Sequence, residues 1–348
     1  MNRLIIPTHL PYLDRALGGG QFACGVHGIL GPTGGGKSHL ATMIAVSGAT
    51  GGSVFSSDAN PQKTWVLFDL GSSGGQSTWR AILHAARSHE MDQYFSSDGF
   101  HHFKKHHPDD LPHDEHGNLL TPQIRISIAQ ERLTKKLALF HEDFAFNAGD
   151  QSTPLTYRIA QILQEISGHV EIGGIVIDGV CDVWGFEFMT SKLSERQFIL
   201  NFVSRFCRQL SDDYQCPVWV THQISGKSCS ALPIAPLSHY NSARCKSFAE
   251  SLDACVVFGT KSDEGWFALQ CTKNQASKAV LDSVVLEYDA CTTSFIEVQG
   301  LRVDRNKQKR VRRANESPLL CNYEKDCLQQ KLADLRAKGT ASQRDRRV

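Results

Sequence analysis

The sequence predicts an α/β fold, a mostly parallel sheet covered by helices on both faces. Three observations lead there. Short apolar runs with the length of buried strands alternate with segments of helical periodicity. Three of these runs end in polar groups, in "WVLFDLG", "GIVIDG" and "WVTHQ". The earliest core run passes through "GPTGGGKS" directly into a helix. Sheets of this kind bind ligands at the carboxyl ends of their strands, where those polar groups collect.

The elements follow in order. "YLDRALGGGQFACGVHGILGP" ends in a short apolar strand at residues 26–30, and the helix after the glycines runs over about 38–46, closed near Gly48. "TWVLFDLG" is a second buried strand, ending in Asp69. In "STWRAILHAARSH", Trp79, Ile82, Leu83 and Ala86 share one face at helical spacing, which predicts an inward face. "TPLTYRIAQILQEI" is a helix with Thr153 as its cap and Pro154 in its first turn. "GGIVIDGV" is a buried strand ending in Asp178, and a helix covers about 195–210. "CPVWVTHQ" is a further core strand, ending in His222 and Gln223. "SLDACVVFG", "GWFALQCTKN", "VVLEYD" and "SFIEV" are more strands, the last of them antiparallel hairpins.

Two segments break this pattern. Residues 91–121 are polar and crowded with histidine, and are expected to be a surface insertion in a domain spanning 1–300. The pairs His101–His102 and His106–His107 lack a cysteine or acidic partner at fixed spacing, so no metal site is assigned to them. Residues 301–348 form a basic tail, expected to be flexible. From Arg302 onward there are 14 Lys/Arg and 6 Asp/Glu, against 23 and 30 in the preceding residues. The chain thus pairs an acidic body with a basic tail, although its net charge is only +1.

Composition bounds the rest. The 348 residues are 41% hydrophobic and 21% charged, enough apolar content for a large core. No apolar run approaches the roughly 18 residues that span a bilayer, so no membrane partner is expected. Pro7 and Pro11 interrupt the N-terminal apolar stretch, which argues against a secretory leader and for a cytoplasmic protein. The eleven cysteines form no CxxC pair and are expected to be reduced.

The chemistry is concentrated at Gly31, Pro32, Thr33, Gly34, Gly35, Gly36, Lys37 and Ser38, which satisfy G-x-x-x-x-G-K-[ST] between a strand and a helix. Glycines there let backbone N–H groups turn inward as an anion nest, and the helix N-terminus adds partial positive charge. This predicts a nucleotide-phosphate site that extends to His39, with Lys37 on the β/γ-phosphates and the Ser38 hydroxyl on Mg²⁺. Asp178, at the end of its apolar strand, is the second expected magnesium residue, as in a Walker B strand.

"LDRALGGGQFACGVHGILGPTGGGKSHLATMIA", "VIDGV" and "VWVTHQISGKS" together resemble the RecA-like ATPases, in particular their KaiC, RadA and DnaB-type helicase branches. The resemblance covers about residues 10–300 and is strongest at the P-loop. It implies a RecA-like P-loop NTPase core using ATP and Mg²⁺, with Lys37, Asp69, Asp178 and Gln223 as catalytic residues. Asp69 occupies the position of the water-activating carboxylate, usually a glutamate, and the shorter side chain implies slow turnover. Gln223, with His222, matches the sensor that reports the γ-phosphate to a DNA-binding loop. The segment after it carries Lys227, Arg244 and Lys246 as DNA-binding candidates. "TKNQASKA" resembles the element that reaches into a neighbouring subunit, with Lys273 matching, Gln275 replacing the usual arginine, and Lys278 as a substitute.

The expected function is therefore an ATPase acting on single-stranded DNA in replication, recombination or repair, assembled as a homo-oligomeric ring or filament. A KaiC-like signalling ATPase without nucleic acid and a non-catalytic nucleotide-binding scaffold are the rival readings. A small-molecule P-loop kinase fits less well, because the insertion is rich in histidine rather than in paired arginines.

Overall fold

The computed structural model describes residues 4–52, 63–71, 74–86, 119, 121–141, 153–180, 194–224, 246–259, 266–275, 284–289, 294–298, 301–303 and 311–313. Apart from residues 119 and 121, the histidine-rich insertion lies outside them, as do Lys227, Arg244, Lys278 and most of the basic tail.

The chain opens with a small ribbon, β1 (Ile5–Ile6) paired with β2 (Gln21–Phe22), enclosing helix α1 (Pro11–Leu17). The core strands follow as β3 (Gly25–Gly31), β4 (Lys63–Asp69), β5 (Leu137–His141), β6 (Glu171–Asp178), β7 (Pro217–Gln223) and β8 (Ala254–Phe258). Antiparallel strands β9 (Trp266–Asn274), β10 (Val284–Asp289) and β11 (Ser294–Glu297) complete a nine-stranded sheet in the order β11-β10-β9-β8-β3-β7-β6-β4-β5. From β8 to β5 every pairing is parallel, so all six carboxyl ends emerge on one side. β3 lies in the middle and is buried along its whole length.

Helices cover both faces. α2 (Lys37–Thr50), α3 (Gly74–Ala86) and α4 (Pro122–Thr134) pack with α1 on one face, around Leu40, Ile44, Leu67 and Trp219. On the other face lie α5 (Leu155–Ser167) and a long helix, Glu195–Asn201 continuing through a π-turn at Phe202–Cys207 into Arg208–Tyr214. These bury Ile159, Leu163, Phe202 and Leu210 against Ile175, Ile177 and Val220. Two apolar cores on opposite sides of a parallel sheet form the expected three-layer arrangement. No helix among the described residues is long and apolar enough to cross a membrane.

Several local expectations need correction. α5 starts at Leu155 with Pro154 in the capping position, so Thr153 lies outside the helix and is not its cap. The helix expected at 195–210 runs on to Tyr214, and its start is fixed by a reciprocal capping box between Ser194 and Gln197. In α3, Ile82, Leu83 and Ala86 are buried but Trp79 is 50% exposed; the inner face carries Ser77, Arg80 and His84. α4 and the edge strand β5 were not anticipated. In the tail, β12 (Leu301–Val303) pairs antiparallel with β13 (Val311–Arg313).

Candidate functional site

The site is built where β3 ends and α2 begins. Gly34 and Gly36 have φ of +72° and +84°, in the left-handed region that side chains with a Cβ rarely enter. Between them the loop tightens, with the Gly35 N–H donating to the Pro32 carbonyl at 3.0 Å. Gly36 caps α2, and Lys37 and Ser38 are its opening residues. Lys37 is half-buried and its Nζ donates to the Pro32 carbonyl at 2.8 Å, so the ammonium lies folded over the loop. The half-buried His39 shares a 2.7 Å hydrogen bond with the Tyr288 hydroxyl. Burial, helped by the positive charge of Arg80, lowers its pKa to about 4, leaving a neutral imidazole at neutral pH.

The other expected residues converge on this loop. Asp69 and Asp178 end neighbouring strands β4 and β6 and stand in direct register. Asp178 is buried, and the Ser38 hydroxyl hydrogen-bonds its carboxylate. The Thr221 hydroxyl donates to Asp178 Oδ1 at 2.5 Å and accepts from the Gly179 N–H at 2.8 Å. Burial and the nearby Asp69 push the Asp178 pKa up, and the hydroxyls and Arg80 partly offset them. Such a raised value marks a carboxylate that would gain from a cation.

Asp69 is only 1% exposed. Its Oδ2 accepts from the Ser77 hydroxyl and from Arg80 Nη2, the latter at 3.4 Å, while its buried Oδ1 has no hydrogen-bond partner. At the end of β7, the exposed Gln223 donates from Nε2 to the Thr33 hydroxyl of the loop at 2.5 Å. Thr221, Ser77 and Arg80 complete the cluster and were missed by sequence reading. Thr221 alone left a signal, as a lone hydroxyl two residues before Gln223 in an apolar strand.

Lys273 does not join this group. Its Nζ donates to the carbonyls of Ala249 at 3.0 Å and Glu250 at 2.6 Å, closing the end of the short helix α6 (Lys246–Glu250) of its own chain. Asn274 and Gln275 bond to the carbonyls of Leu17 and Leu252 in the same way. A trans role for Lys273 would require it to leave those carbonyls. Lys246 opens α6, at the far end of the segment that follows Gln223.

No protein-family model and no curated protein matches the chain. Solved structures do. The ATPase domain of a DnaB-like helicase superposes with a TM-score of 0.57 at 12% identity, covering 86% of this chain and 93% of that one. A KaiC-like protein, PH0186 of Pyrococcus horikoshii OT3, aligns over 85% of this chain and 99% of its own with a TM-score of 0.48 and 12% identity. At such identity the likeness is one of fold. The parallel core, the antiparallel C-terminal strands and the glycine loop between β3 and α2 are those of a RecA-like P-loop ATPase fold.

Proposed function

We propose that the protein binds ATP with Mg²⁺ at the β3–α2 loop and hydrolyses it, coupling turnover to single-stranded DNA in a homo-oligomeric assembly. One observation carries the reading: the glycine nest, the Ser38–Asp178–Thr221 hydrogen bonds and the partly satisfied Asp69 meet at the carboxyl ends of adjoining parallel strands.

The residues fit a magnesium ion. A hydroxyl and a carboxylate already in contact make a hard oxygen donor set, and the raised pKa of Asp178 supplies unmet negative charge. Ser38 and Asp178 would hold the ion, directly or through water, and it would neutralise charge on the transferring phosphoryl group. Thr221 fixes the Asp178 carboxylate by donating to it. Lys37 would exchange the Pro32 carbonyl for phosphate oxygens, a charge-assisted contact stronger than the one it leaves. Asp69 would orient the attacking water through Oδ1, its oxygen without a protein partner. Gln223 bridges this centre to the segment that begins after β7, because its amide already holds Thr33 of the loop. Lys227, Arg244 and Lys246 lie on or directly after that segment, and they are the residues proposed to meet DNA phosphates.

A signalling or scaffold role is favoured by one observation, the retention of Lys273 by its own chain. ATP hydrolysis by the purified protein, with and without single-stranded DNA, separates these readings. The expected result is slow turnover that rises several-fold with DNA and falls by about a hundredfold or more in a folded Lys37→Ala variant. Hydrolysis indifferent to DNA would move the assignment to the signalling class. ATP binding without hydrolysis would make the chain a scaffold.

A further inference from the structure

α3 is turned in an unexpected way. It exposes a tryptophan and buries an arginine: Trp79 is 50% exposed and Arg80 only 8%. Turning an indole outward while burying a guanidinium is unfavourable unless the cation finds charged partners inside. Arg80 finds them. Its Nη2 reaches Asp69 Oδ2, and its charge is also felt by Asp178, His39 and Tyr288. It therefore sits beside two buried carboxylates that end neighbouring strands and repel each other. Ser77, one turn earlier on the same face, donates to the same Asp69 oxygen.

We propose that Arg80 and Ser77 are positioning residues that hold Asp69 in its working orientation, fixing Oδ2 so that Oδ1 is the oxygen left for the attacking water. The proposal rests on the reading of Asp69 as the water-orienting carboxylate. It supplies what the short side chain lacks. An aspartate at the strand end reaches one methylene less far than a glutamate, so its usefulness depends on how narrowly its direction is set. Two donors from one helix on one oxygen leave little freedom about the Cβ–Cγ bond. Arg80 also offsets, from within the same chain, part of the negative charge that Asp69 and Asp178 bring together. It acts through Asp69 and need not touch the nucleotide.

The test is a mutant cycle with the full-length protein. Arg80→Gln, Arg80→Lys and Ser77→Ala are made in the parent and in Asp69→Asn, followed by steady-state ATP hydrolysis, binding of a fluorescent ATP analogue and thermal melting. In the parent, Arg80→Gln is expected to lower kcat by about 10- to 100-fold with KM and analogue affinity within about twofold, as for a misplaced group that ground-state binding does not use. Arg80→Lys should recover a large part of the rate. In the Asp69→Asn background Arg80→Gln should cost almost nothing further, since neighbours that act as one unit are not additive. An equal loss in both backgrounds, a parallel loss of nucleotide affinity, or an Arg80→Lys protein as slow as Arg80→Gln would overturn the proposal. Should Arg80→Gln fail to fold, Ser77→Ala carries the same comparison without stranding a buried cation: a several-fold loss confined to the parent background supports the proposal, and equal rates overturn it. A parent that binds ATP without hydrolysing it removes the Asp69 reading and this inference with it. A parent that hydrolyses ATP but is indifferent to both residues removes only the inference.

Discussion

The two ends of the parallel strands treat a buried aspartate differently. At the amino end, just before β8, Asp253 is fully buried; its Oδ2 accepts from the Val26 N–H at 2.7 Å and from Arg208. Around it Trp219 donates to Gln21 at 2.6 Å and stacks on His27, so polar and aromatic groups lock β3, β7 and β8 together. At the carboxyl end, Asp69 keeps a buried oxygen without a hydrogen bond, and Asp178 is held as a carboxylate against burial and against Asp69. Aspartate paired with arginine occurs at both ends, but only one end is satisfied. The difference teaches where stability is kept and where it is given up for binding, because unmet polar groups at a cleft are what a ligand satisfies.

The largest expected effect sharpens this contrast at its functional end. Asp178→Asn should reduce ATP turnover by about a hundredfold or more, the scale of losing a key electrostatic group in an active site. The same change should raise the melting temperature of the nucleotide-free protein. The reason is linkage: a carboxylate whose folded pKa is raised binds its proton more tightly when folded, so the folded state loses stability as pH rises through that value. A neutral amide removes this loss. A lowered melting temperature would mean that the carboxylate is structural.

The next effect tests the opposite end. Asp253→Ala leaves the Val26 N–H and Arg208 without their partner, and should cost about 3 kcal/mol of stability by denaturant unfolding. Nucleotide affinity of the fraction that remains folded should be unchanged. A large loss of affinity with little loss of stability would erase the distinction between the ends.

The smallest effect concerns pH. His27 and His39 both have pKa values lowered to about 4, chiefly by burial. As pH falls below 6.5 the unfolded chain takes up protons that these rings refuse, so stability should decline between pH 6.5 and 4. Asp178 acts in the opposite sense. His39→Gln therefore gives the cleaner measurement, and should remove about 1–2 kcal/mol of the decline by pH 5. An acid limb as steep as the parent's would show that His39 takes no part.

How legible this was in the sequence differed by element. The P-loop and the strand ends could be read because their signals are local: glycines before Lys37 and Ser38, and carboxylates closing apolar runs at Asp69 and Asp178. α4 and β5 escaped because "TPQIRISIAQERLT" has few buried positions, only Pro122, Arg125, Ala129 and Leu133, and because "LALFH" is a short, half-covered edge strand. Trp79 was assigned inward on hydrophobicity alone. The inner face of α3 is instead set by what waits for it across the interface, Asp69 for Ser77 and Arg80, and Ser294 for His84 at 2.6 Å. Those partners are 8 to 210 residues away in sequence, and side-chain direction over such spans is a property of packing.

Phe295 gives the nucleotide loop a dependence on the order of synthesis. Its ring sits where a Cβ on Gly36 would be, 2.3 Å from that position, and its backbone N–H donates to the Met43 sulfur of α2 at 3.3 Å. The glycine that starts α2 is therefore wedged from behind by one of the last strands of the sheet, β11. A ribosome-bound chain that has not yet reached Ser294 already has every phosphate-binding residue of the loop, yet lacks its backing. Contacts closed over such a distance form late, because the intervening loop must first be ordered. The nucleotide site then matures only when the sheet is finished, so ATP binding by a growing chain would report completion of the fold rather than emergence of the motif.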